Sequence, residues 1–211
     1  MSDKNWSQTY TGRRFDYDKI DSHDYSLDDI AHHLSLICRF GGASLYHYSV
    51  GYHSLLVTQA IYRDTGNPIL ALDGLFHDAE EAYMGDMRTM LKPRNPDFKR
   101  RASAVDLAIR RHFRSLGVPE MEDPLTKEYD RRILLDERAQ VMRKTNDPWA
   151  WTEGLDPLGV IIEVKRPAQV RDTWLRAVDT FSKLALRKKE ADSSGVVEFP
   201  KSRRVKTTRI V

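Results

Sequence analysis

A helix that carries metal-binding residue types on an apolar body is predicted by Asn67-Pro-Ile-Leu-Ala-Leu-Asp-Gly-Leu-Phe-His-Asp-Ala-Glu-Glu-Ala-Tyr-Met-Gly85. Asn67 can cap the helix and Pro68 suits its first position, while Gly85 is typical of a helix end. We therefore expect one helix from Ile69 to about Met84. Its residues 69–82 are apolar nearly all round, which places His77 and its polar neighbours deep in the protein.

Five further helices are predicted on either side of this one from the same kinds of signal. A capping box at Ser26-Leu-Asp-Asp29 precedes one helix, and Ser49 can cap the next. Asn95-Pro96, Asp123-Pro124 and Arg166-Pro167 begin the others. The predicted helices span residues 30–38, 50–64, 96–117, 124–143 and 167–189. Because the one β-branched run is residues 160–164, we expect an all-α fold, a bundle of about six helices.

The length and composition favour a single domain. A chain of 211 residues with 40% apolar residues is long enough to bury one hydrophobic core. We assign residues 1–190 to this domain and residues 191–211 to a basic C-terminal tail. The first 25 residues and the span 146–165, which is rich in Asp, Pro, Gly and Trp, are expected to be ordered loops that cover part of the domain.

Charge, hydropathy and cysteine content exclude several classes of protein. The net charge is +3, but residues 187–211 hold eight Lys or Arg against three Asp or Glu, so the body is not basic and we expect no nucleic-acid partner for it. No apolar run reaches the roughly 18 to 20 residues of a membrane span, and the N terminus is unlike a signal peptide. We therefore expect a cytoplasmic protein with no membrane partner. The single cysteine, Cys38, leaves His and carboxylates as metal ligands.

Three of the predicted helices place a metal-ligand residue type on an inward face. His53 shares a face with Val50 and Val57, and His77 with Asp78 lies on the apolar helix described above. Asp130 aligns with Leu134 and Val141 on a later helix. Desolvating an unpaired carboxylate costs several kcal/mol, and one divalent cation compensates both acids while the imidazoles ligate it. The mixed donors suit Mn, Fe, Co, Ni, Zn or, less well, Mg.

Alternative roles exist for these and neighbouring residues. A single His on an apolar face is often a hydrogen-bonded core residue, and Lys or Arg can also pair with a buried acid. His32 and His33 are competing ligand candidates, but their helix has no carboxylate on the matching face. Of the adjacent acids Glu80 and Glu81, we expect Glu80 to be the solvated one.

These residues resemble the signature of the HD-domain metal-dependent phosphohydrolases, which is a His, a His-Asp doublet and a late Asp on separate helices. Tyr48-Ser-Val-Gly-Tyr-His53, Leu75-Phe-His-Asp-Ala-Glu-Glu81 with Gly85-Asp86, and Thr126-Lys-Glu-Tyr-Asp130 are similar to the 5′-deoxynucleotidase branch. Tyr10-Thr-Gly-Arg-Arg-Phe15 and residues 30–42 resemble phage members, which include dATP triphosphohydrolases. The resemblance covers about residues 10–145.

The resemblance implies a role for each matching residue. It makes His53, His77, Asp78 and Asp130 the metal ligands and Glu81 the acid/base for the attacking water. It places Asp86 near the sugar and metal. Arg39 and Lys92 match phosphate-binding positions, and Phe40 matches an aromatic residue that packs on the sugar or base. The chain departs from its relatives at Met87-Arg-Thr-Met90, where prolines are usual, and Arg88 there can add a phosphate contact.

The implied activity is metal-assisted hydrolysis of a deoxynucleotide. We expect first a dNTP, with dATP preferred, that is converted to deoxynucleoside and triphosphate, because Arg88 and Arg94 add charge for a longer phosphate chain. A 5′-deoxynucleotidase that releases orthophosphate from dNMPs is the alternative. An HD-scaffold regulatory or nucleic-acid-binding module is the alternative of another class. The resemblance also implies a homo-oligomer, located in the host cytoplasm if a phage encodes it.

Overall fold

The computed structural model describes residues 5–193, and their architecture is all-α, as predicted. A small antiparallel sheet of Trp6–Gln8 (β1) and Arg14–Asp16 (β2) comes before the helices, which are joined by loops and short 3₁₀ turns. The helices are Leu27–Leu36 (α1), Val50–Thr65 (α2), Pro68–Phe76 (α3), Glu81–Met84 (α4), Pro96–His112 (α5), Pro124–Val141 (α6) and Pro167–Ser193 (α7).

Side-chain caps begin three of these helices at the predicted residues. The side chains of Ser49, Asn67 and Asp123 accept hydrogen bonds from backbone N–H groups in the first turns of α2, α3 and α6. These bonds satisfy donors that have no partner within the helix. These three helices therefore begin where the sequence predicts.

The predicted capping roles of Ser26 and Asn95 are wrong, since neither side chain accepts a hydrogen bond from its helix. Asp29, the acid of the predicted capping box, instead accepts bonds from the backbone N–H and the hydroxyl of Thr11, at 2.7 and 2.9 Å. Asn95 donates through its side-chain amide to the Leu91 carbonyl. The side chains of Asp29 and Asn95 therefore bond to groups in neighbouring segments and do not cap their helices.

The prediction of one helix from Ile69 to Met84 is also wrong, because α3 ends at Phe76 and α4 begins at Glu81. Between them the backbone tightens. The N–H of Ala79 donates to the Phe76 carbonyl at 3.0 Å, and that of Glu81 donates to the Asp78 carbonyl at 3.1 Å, a three-residue spacing. His77, Asp78 and Glu81 therefore do not follow a regular helical register.

Helix α3 is the centre of the core and packs mainly against α2 and α7. At Gly74 a Cβ atom would lie 2.7 Å from Ile61 Cδ1, so the glycine permits the close approach of α3 to α2. The fully buried Trp174 of α7 lies against Phe76, with ring centroids 5.2 Å apart. This packing fixes the C-terminal end of α3 beside the middle of α2.

A buried ion pair joins α3, α5 and α6. Arg110 Nη1 lies 2.6 Å from Asp73 Oδ1, and both side chains are at most 1% exposed. Asp73 Oδ2 accepts hydrogen bonds from the Asp123 N–H and the Thr126 hydroxyl at the start of α6. The network sets α6, which carries Asp130, against α3.

The two segments predicted as loops differ from each other. The first 25 residues contain the β1–β2 hairpin, which the sequence did not predict, and Phe15 of β2 is fully buried against Tyr83. The span 146–165 is a loop with one 3₁₀ turn, and its β-branched run pairs with no described strand. Asp136 of α6 holds this loop by accepting the N–H groups of Leu158 and Gly159.

The last helix continues further than predicted, to Ser193, which is beyond the boundary expected after residue 190. The remainder of the predicted basic tail, residues 194–211, lies outside the described residues. Within residues 5–193, none of the helices has the length and apolar character needed to cross a membrane.

Candidate metal centre

Two histidine side chains meet end to end in the core. His53 lies on α2 and His77 directly follows α3, and their side chains are 0% and 2% exposed. Their Nε2 atoms are 3.2 Å apart. The close packing of α2 against α3 brings together two residues that are 24 positions apart in the chain.

The second nitrogen of each imidazole is fixed by an acceptor. His53 Nδ1 lies 2.7 Å from Glu137 Oε1, and His77 Nδ1 lies 2.8 Å from the Gly74 carbonyl oxygen. Carboxylate and carbonyl oxygens accept, so each Nδ1–H donates, and a neutral ring then has a lone pair at Nε2. When both rings are neutral, these two lone pairs face each other, and a proton or a metal ion between them would stabilise the arrangement.

Two carboxylates complete this cluster. Asp130 Oδ1 is 3.0 Å from His53 Nε2 and 3.7 Å from His77 Nε2. Asp78 Oδ2 is 3.1 Å from His77 Nε2 and 3.7 Å from His53 Nε2. Donors at about 2.0 to 2.2 Å from one ion lie about 2.8 to 3.6 Å apart, close to these distances. The group of His53, His77 and Asp130 can therefore bind a metal ion, and Asp78 adjoins it.

The electrostatics of the cluster favour a cation. Burial by itself would raise the pKa of Asp78 and of Asp130, but the neighbouring imidazoles hold the pKa of each carboxyl below its ordinary value. Burial would lower the pKa of His77, yet the two carboxylates raise it well above normal. Two nitrogen and two oxygen donors suit first-row transition metals such as Mn, Fe, Co, Ni and Zn.

Glu137, which was not predicted from the sequence as a site residue, organises the centre through His53 and Arg39. This fully buried residue of α6 accepts from the Tyr48 hydroxyl at 2.8 Å and from His53, and Arg39 Nε lies 3.2 Å from it. Burial alone would raise the pKa of Glu137, but the Arg39 charge and the His53 imidazole lower it. Its spacing of seven residues from Asp130, two helical turns, was the available signal.

Both predicted phosphate ligands lie beside the centre. Arg39 Nη1 is 3.5 Å from Asp78 Oδ2, with its side chain 11% exposed. Lys92 Nζ is 3.6 Å from Glu81 Oε1. A cavity of about 330 Å³ beside the centre is lined by Lys92, His77, Glu81 and Lys99. Arg39 and Lys92 therefore each lie within 4 Å of a carboxylate of the site.

The other predicted substrate residues lie on the loops around Arg39. Phe40 is half-buried, and the Arg39 guanidinium carbon is 5.3 Å from its ring centroid. Arg88 is exposed and donates from Nη2 to the Phe40 carbonyl at 3.2 Å, while Arg94 donates to the Met90 carbonyl at 2.9 Å. Arg88 and Arg94, which were predicted to add charge for a longer phosphate chain, therefore both donate to loop carbonyl groups in this structure.

The predicted acid/base residue is buried and poorly solvated. Glu81 is 4% exposed, its Oε2 has no hydrogen-bond partner, and its carboxylate lies in a second acidic group with Asp78 and Glu80. Burial and the charges of Asp78 and Glu80 raise the pKa of Glu81 well above its usual value. Burial, together with the charge of Asp78, likewise raises the pKa of Asp86 above its usual value. The charges of Arg39 and Lys92 act in the opposite direction but do not outweigh this effect.

The expectation that Glu80 is solvated is wrong. Its Oε2 is buried without a partner, and burial together with the charges of Asp78 and Asp106 raises the pKa of Glu80 to about 8. Glu80 lines the same cavity as His77, Glu81 and Lys92, and the packing around this cavity limits its contact with solvent.

His32 and His33 have partners away from the centre. His32 stacks on Tyr10 with ring centroids 3.6 Å apart. His33 Nε2 accepts from the Tyr10 N–H at 3.1 Å, and its Nδ1 lies 2.6 Å from the Ala82 carbonyl oxygen. They join the N-terminal segment to α1 and α4.

The fold and the centre define an all-α protein with a buried histidine and carboxylate group able to hold a metal ion. The chain is 35% identical over 148 residues to YfdR of Escherichia coli (strain K12), described as an uncharacterized protein, and the match covers 70% of this chain and 79% of YfdR. It therefore belongs to the YfdR family. An uncharacterized protein of Rhodobacter capsulatus is 39% identical over 93 residues, 41% of this chain and 46% of that protein. No protein-family model matches the chain.

Proposed function

We propose that this protein is a metal-dependent phosphohydrolase of deoxynucleotides with an HD-type centre. The first substrate candidate is a dNTP, with dATP preferred, hydrolysed to deoxynucleoside and triphosphate. One observation carries the proposal: the Nε2 atoms of His53 and His77 face each other at 3.2 Å between two carboxylates. Such a donor set is typical of a site for one divalent ion that retains open positions for water and substrate.

A divalent ion at this position supplies Lewis-acid activation of water and charge compensation for phosphate. His53, His77, Asp78 and Asp130 would hold it. Glu137 keeps the His53 ring in one orientation and one tautomer by accepting its Nδ1–H at 2.7 Å. The Gly74 carbonyl does the same for His77.

Arg39 and Lys92 are the residues that bind the reacting phosphoryl group. Arg39 reaches Asp78 from the side of the Phe40 loop, and Lys92 reaches Glu81 from the α4–α5 connection. A guanidinium donates two parallel hydrogen bonds to phosphate oxygens, and an ammonium adds a point charge. Charge compensation from two sides favours the transition state, in which negative charge builds up on these oxygens.

Glu81 handles the proton. A carboxylate with a raised pKa takes a proton from the attacking water more readily than an ordinary one. The water oxygen bonds to the α-phosphorus, the bond from this phosphorus to the 5′ oxygen breaks, and the departing 5′ oxygen takes up a proton. Glu81 can return the proton it accepted, which completes the balance of the reaction.

A 5′-deoxynucleotidase is the second candidate, and one observation favours it. Arg88 and Arg94, which would compensate the added charge of a triphosphate, donate to the carbonyls of Phe40 and Met90. The first candidate has support of its own, because Lys92 and Lys99 line the cavity beside His77 and their positive charges favour a triphosphate substrate. The two activities share every proposed metal ligand and differ in where the remaining phosphates lie.

Identifying which bond of the nucleotide is hydrolysed tests the proposal. Metal-loaded protein is incubated separately with dAMP, dATP and ATP, and products are identified by chromatography and phosphorus NMR. We expect triphosphate and deoxyadenosine from dATP, with ATP turned over more slowly. Orthophosphate from dAMP with dATP untouched would establish the second candidate. Absence of hydrolysis of all three, with metal bound, would contradict the proposal. Asp130→Asn is the matched control, because the asparagine side chain keeps the shape of Asp130 but lacks the negative charge of this proposed metal ligand.

A further inference from the structure

Three lysines from different segments line the cavity of about 330 Å³ beside the candidate metal centre. Lys92 belongs to the α4–α5 connection, Lys99 to α5 and Lys127 to α6. We call this space the lysine cavity. His77 is part of its lining, so the cavity borders the proposed metal ligands. Its volume is at the lower end of the roughly 300 to 1,000 Å³ of ligand pockets, and it suits one part of a nucleotide.

Lys127 lies on the helix that also carries a proposed metal ligand. It precedes Asp130 by three residues, about 4.5 Å along α6, so the two side chains are neighbours on one face of the helix. The Lys127 side chain is 65% exposed and is therefore open to a ligand that enters from solvent. From α5, Lys99 and Ser103 line the same cavity at a spacing of four residues. Ammonium and hydroxyl donors on two helices thus lie next to the centre.

Carboxylates also line the lysine cavity, and they balance its positive charge in the free protein. They are Glu80, Glu81, Asp106 and Glu122. Ion pairs join Lys92 to Glu81 at 3.6 Å, Arg110 to Asp106 at 2.8 Å and Lys127 to Glu122 at 3.1 Å. Neither Lys99 nor Glu80 forms any of the described ion pairs. An anion therefore binds in this cavity by replacing one of the paired carboxylates.

Glu122 is the carboxylate that a ligand can replace most easily. It lies in the loop before α6, which begins at Pro124, and its side chain is 23% exposed. Glu81 is by contrast 4% exposed and belongs to α4, and Asp106 lies within α5. Rotation of the Glu122 side chain toward solvent frees the Lys127 ammonium without moving a helix.

We infer that Lys127 is a specificity-determining residue that binds the phosphate groups beyond the reacting one, with Lys99 as a neighbouring cation. The inference rests on the proposed function, since it takes the reacting phosphorus to lie at the proposed metal ligands. A terminal phosphate carries more negative charge and more acceptor oxygens than a carboxylate, so it replaces Glu122 at the Lys127 ammonium. A monophosphate ends at the metal centre and does not reach Lys127. The lysine cavity therefore selects triphosphates over monophosphates.

The two arginines that were predicted to add charge for a longer phosphate chain lie elsewhere. Arg88 and Arg94 donate to loop carbonyls, and neither lines the lysine cavity. Lys127 was not predicted from the sequence as a site residue. Its position becomes relevant because the packing of α6 against α3 brings the start of α6 beside His77.

Binding of inorganic triphosphate tests the inference separately from nucleotide hydrolysis. Calorimetric titrations compare the full-length metal-loaded protein with three variants, and metal analysis after each titration checks that the ion is retained. In Lys127→Met we expect affinity to fall about tenfold, the loss of one hydrogen bond to a charged group. Lys183→Met is the matched control and should bind normally, because Lys183 on α7 is 66% exposed and has an ion-pair partner at 2.7 Å. Orthophosphate, which fits at the metal ligands, should bind to every variant within about threefold of the original.

Glu122→Gln separates phosphate binding from a structural role of the ion pair. It removes the negative charge that competes for Lys127, so we expect triphosphate affinity to rise about threefold. Both Glu122→Gln and Lys127→Met break the same ion pair. If the pair served the fold alone, the two variants would change triphosphate affinity in the same direction.

Kinetics supply a second measurement. Lys127→Met should raise KM for dATP about tenfold and change kcat by less than about threefold, since a remote phosphate is bound alike in the substrate and the transition state. Equal triphosphate affinity in the original protein and in Lys127→Met would overturn the inference, and dATP hydrolysis in that protein would leave the proposed function intact. Absence of triphosphate binding by the original protein would also overturn it. Weaker triphosphate binding by Lys127→Met in a protein that hydrolyses no nucleotide would support the lysine cavity as a polyphosphate site and contradict the proposed function.

Discussion

His53 Nε2 and His77 Nε2 lie 3.2 Å apart, although each ring already donates its Nδ1–H to an oxygen acceptor. Two neutral imidazoles in these orientations present lone pairs to each other and have no proton to share. A proton or a metal ion between them removes the repulsion. The carboxylates of Asp78 and Asp130 beside them further favour a cation at this position, and the two charges of a divalent ion compensate the negative charges of both carboxylates.

The first prediction concerns metal content. Purified protein should contain or require one divalent ion per chain, and Asp130→Ala should lose the ion because one of four donors and one negative charge disappear. Elemental analysis and the melting temperature before and after chelation provide the measurement, since a ligand of the folded state raises stability. Glu81→Gln, which is not a proposed ligand, should retain the ion. Full occupancy in Asp130→Ala would overturn the ligand assignment.

The second prediction concerns Glu137. Glu137→Ala removes the acceptor of His53 Nδ1–H and leaves the buried Arg39 charge with Asp78, at 3.5 Å, as its remaining carboxylate partner. Losing one partner of a buried pair lowers the free energy of unfolding by about 3 to 5 kcal/mol. Metal affinity should fall about 10- to 100-fold, because the His53 ring is no longer oriented. Denaturant unfolding and metal titration measure the two effects.

Tyr48→Phe is the control for Glu137→Ala. It removes a single hydrogen bond to the same carboxylate, at 2.8 Å, and keeps the charge pair and the His53 contact. Its free energy of unfolding should fall by about 0.5 to 1.5 kcal/mol, with metal affinity nearly unchanged. If both variants bind metal equally well, Glu137 has no orienting role.

The sequence predicts much of this site because its signals are local. Helix ends at Ser49, Asn67 and Asp123 follow from caps that act within one turn, and His53 and Asp130 follow from apolar stripes on regular helices. These residues lie where the periodicity places them. A pattern confined to one helix needs no knowledge of the neighbouring helices.

Other features were missed because they depend on distant partners. Ser26 loses its predicted box since Asp29 bonds to Thr11, which is 18 residues away. The break after Phe76 depends on backbone bonds that a helical pattern does not reveal. Glu137 becomes important only when α6 packs beside His53, 84 residues earlier.

The third prediction concerns the proton. Glu81→Gln keeps the shape of the side chain and removes the titratable carboxylate. Metal content and substrate affinity should therefore be retained, while kcat falls about 100-fold or more, the usual contribution of a general acid or base. Steady-state kinetics provide the measurement, with whichever of dAMP, dATP and ATP the assays proposed above identify as the substrate. Near-normal turnover would move the role to Asp86, whose carboxyl also has a raised pKa through burial.

The fourth prediction concerns the basic tail. The described fold ends with α7 at Ser193, whose helix already packs through Trp174 and Phe181 into the core. Deleting residues 194–211 should therefore leave turnover within about threefold and the melting temperature nearly unchanged. A much larger loss of activity would show that the tail contributes to an active site. A change in mass by light scattering would show that it supports an oligomer.

The last prediction separates buried from exposed ion pairs within the same fold. Arg110–Asp73 and Lys183–Asp179 have nearly equal N–O distances, 2.6 and 2.7 Å, but the first pair is buried and the second has side chains more than half exposed. Arg110→Met fills the same space and leaves the Asp73 charge uncompensated. Its free energy of unfolding should fall by about 3 to 5 kcal/mol, whereas Asp179→Asn should cost about 0.5 kcal/mol or less. Urea unfolding measures both. Because Asp73 also fixes Thr126 at the start of α6, Arg110→Met should in addition weaken metal binding through Asp130, and Asp179→Asn should not. Equal losses of stability in the two variants would contradict a structural role for the buried network.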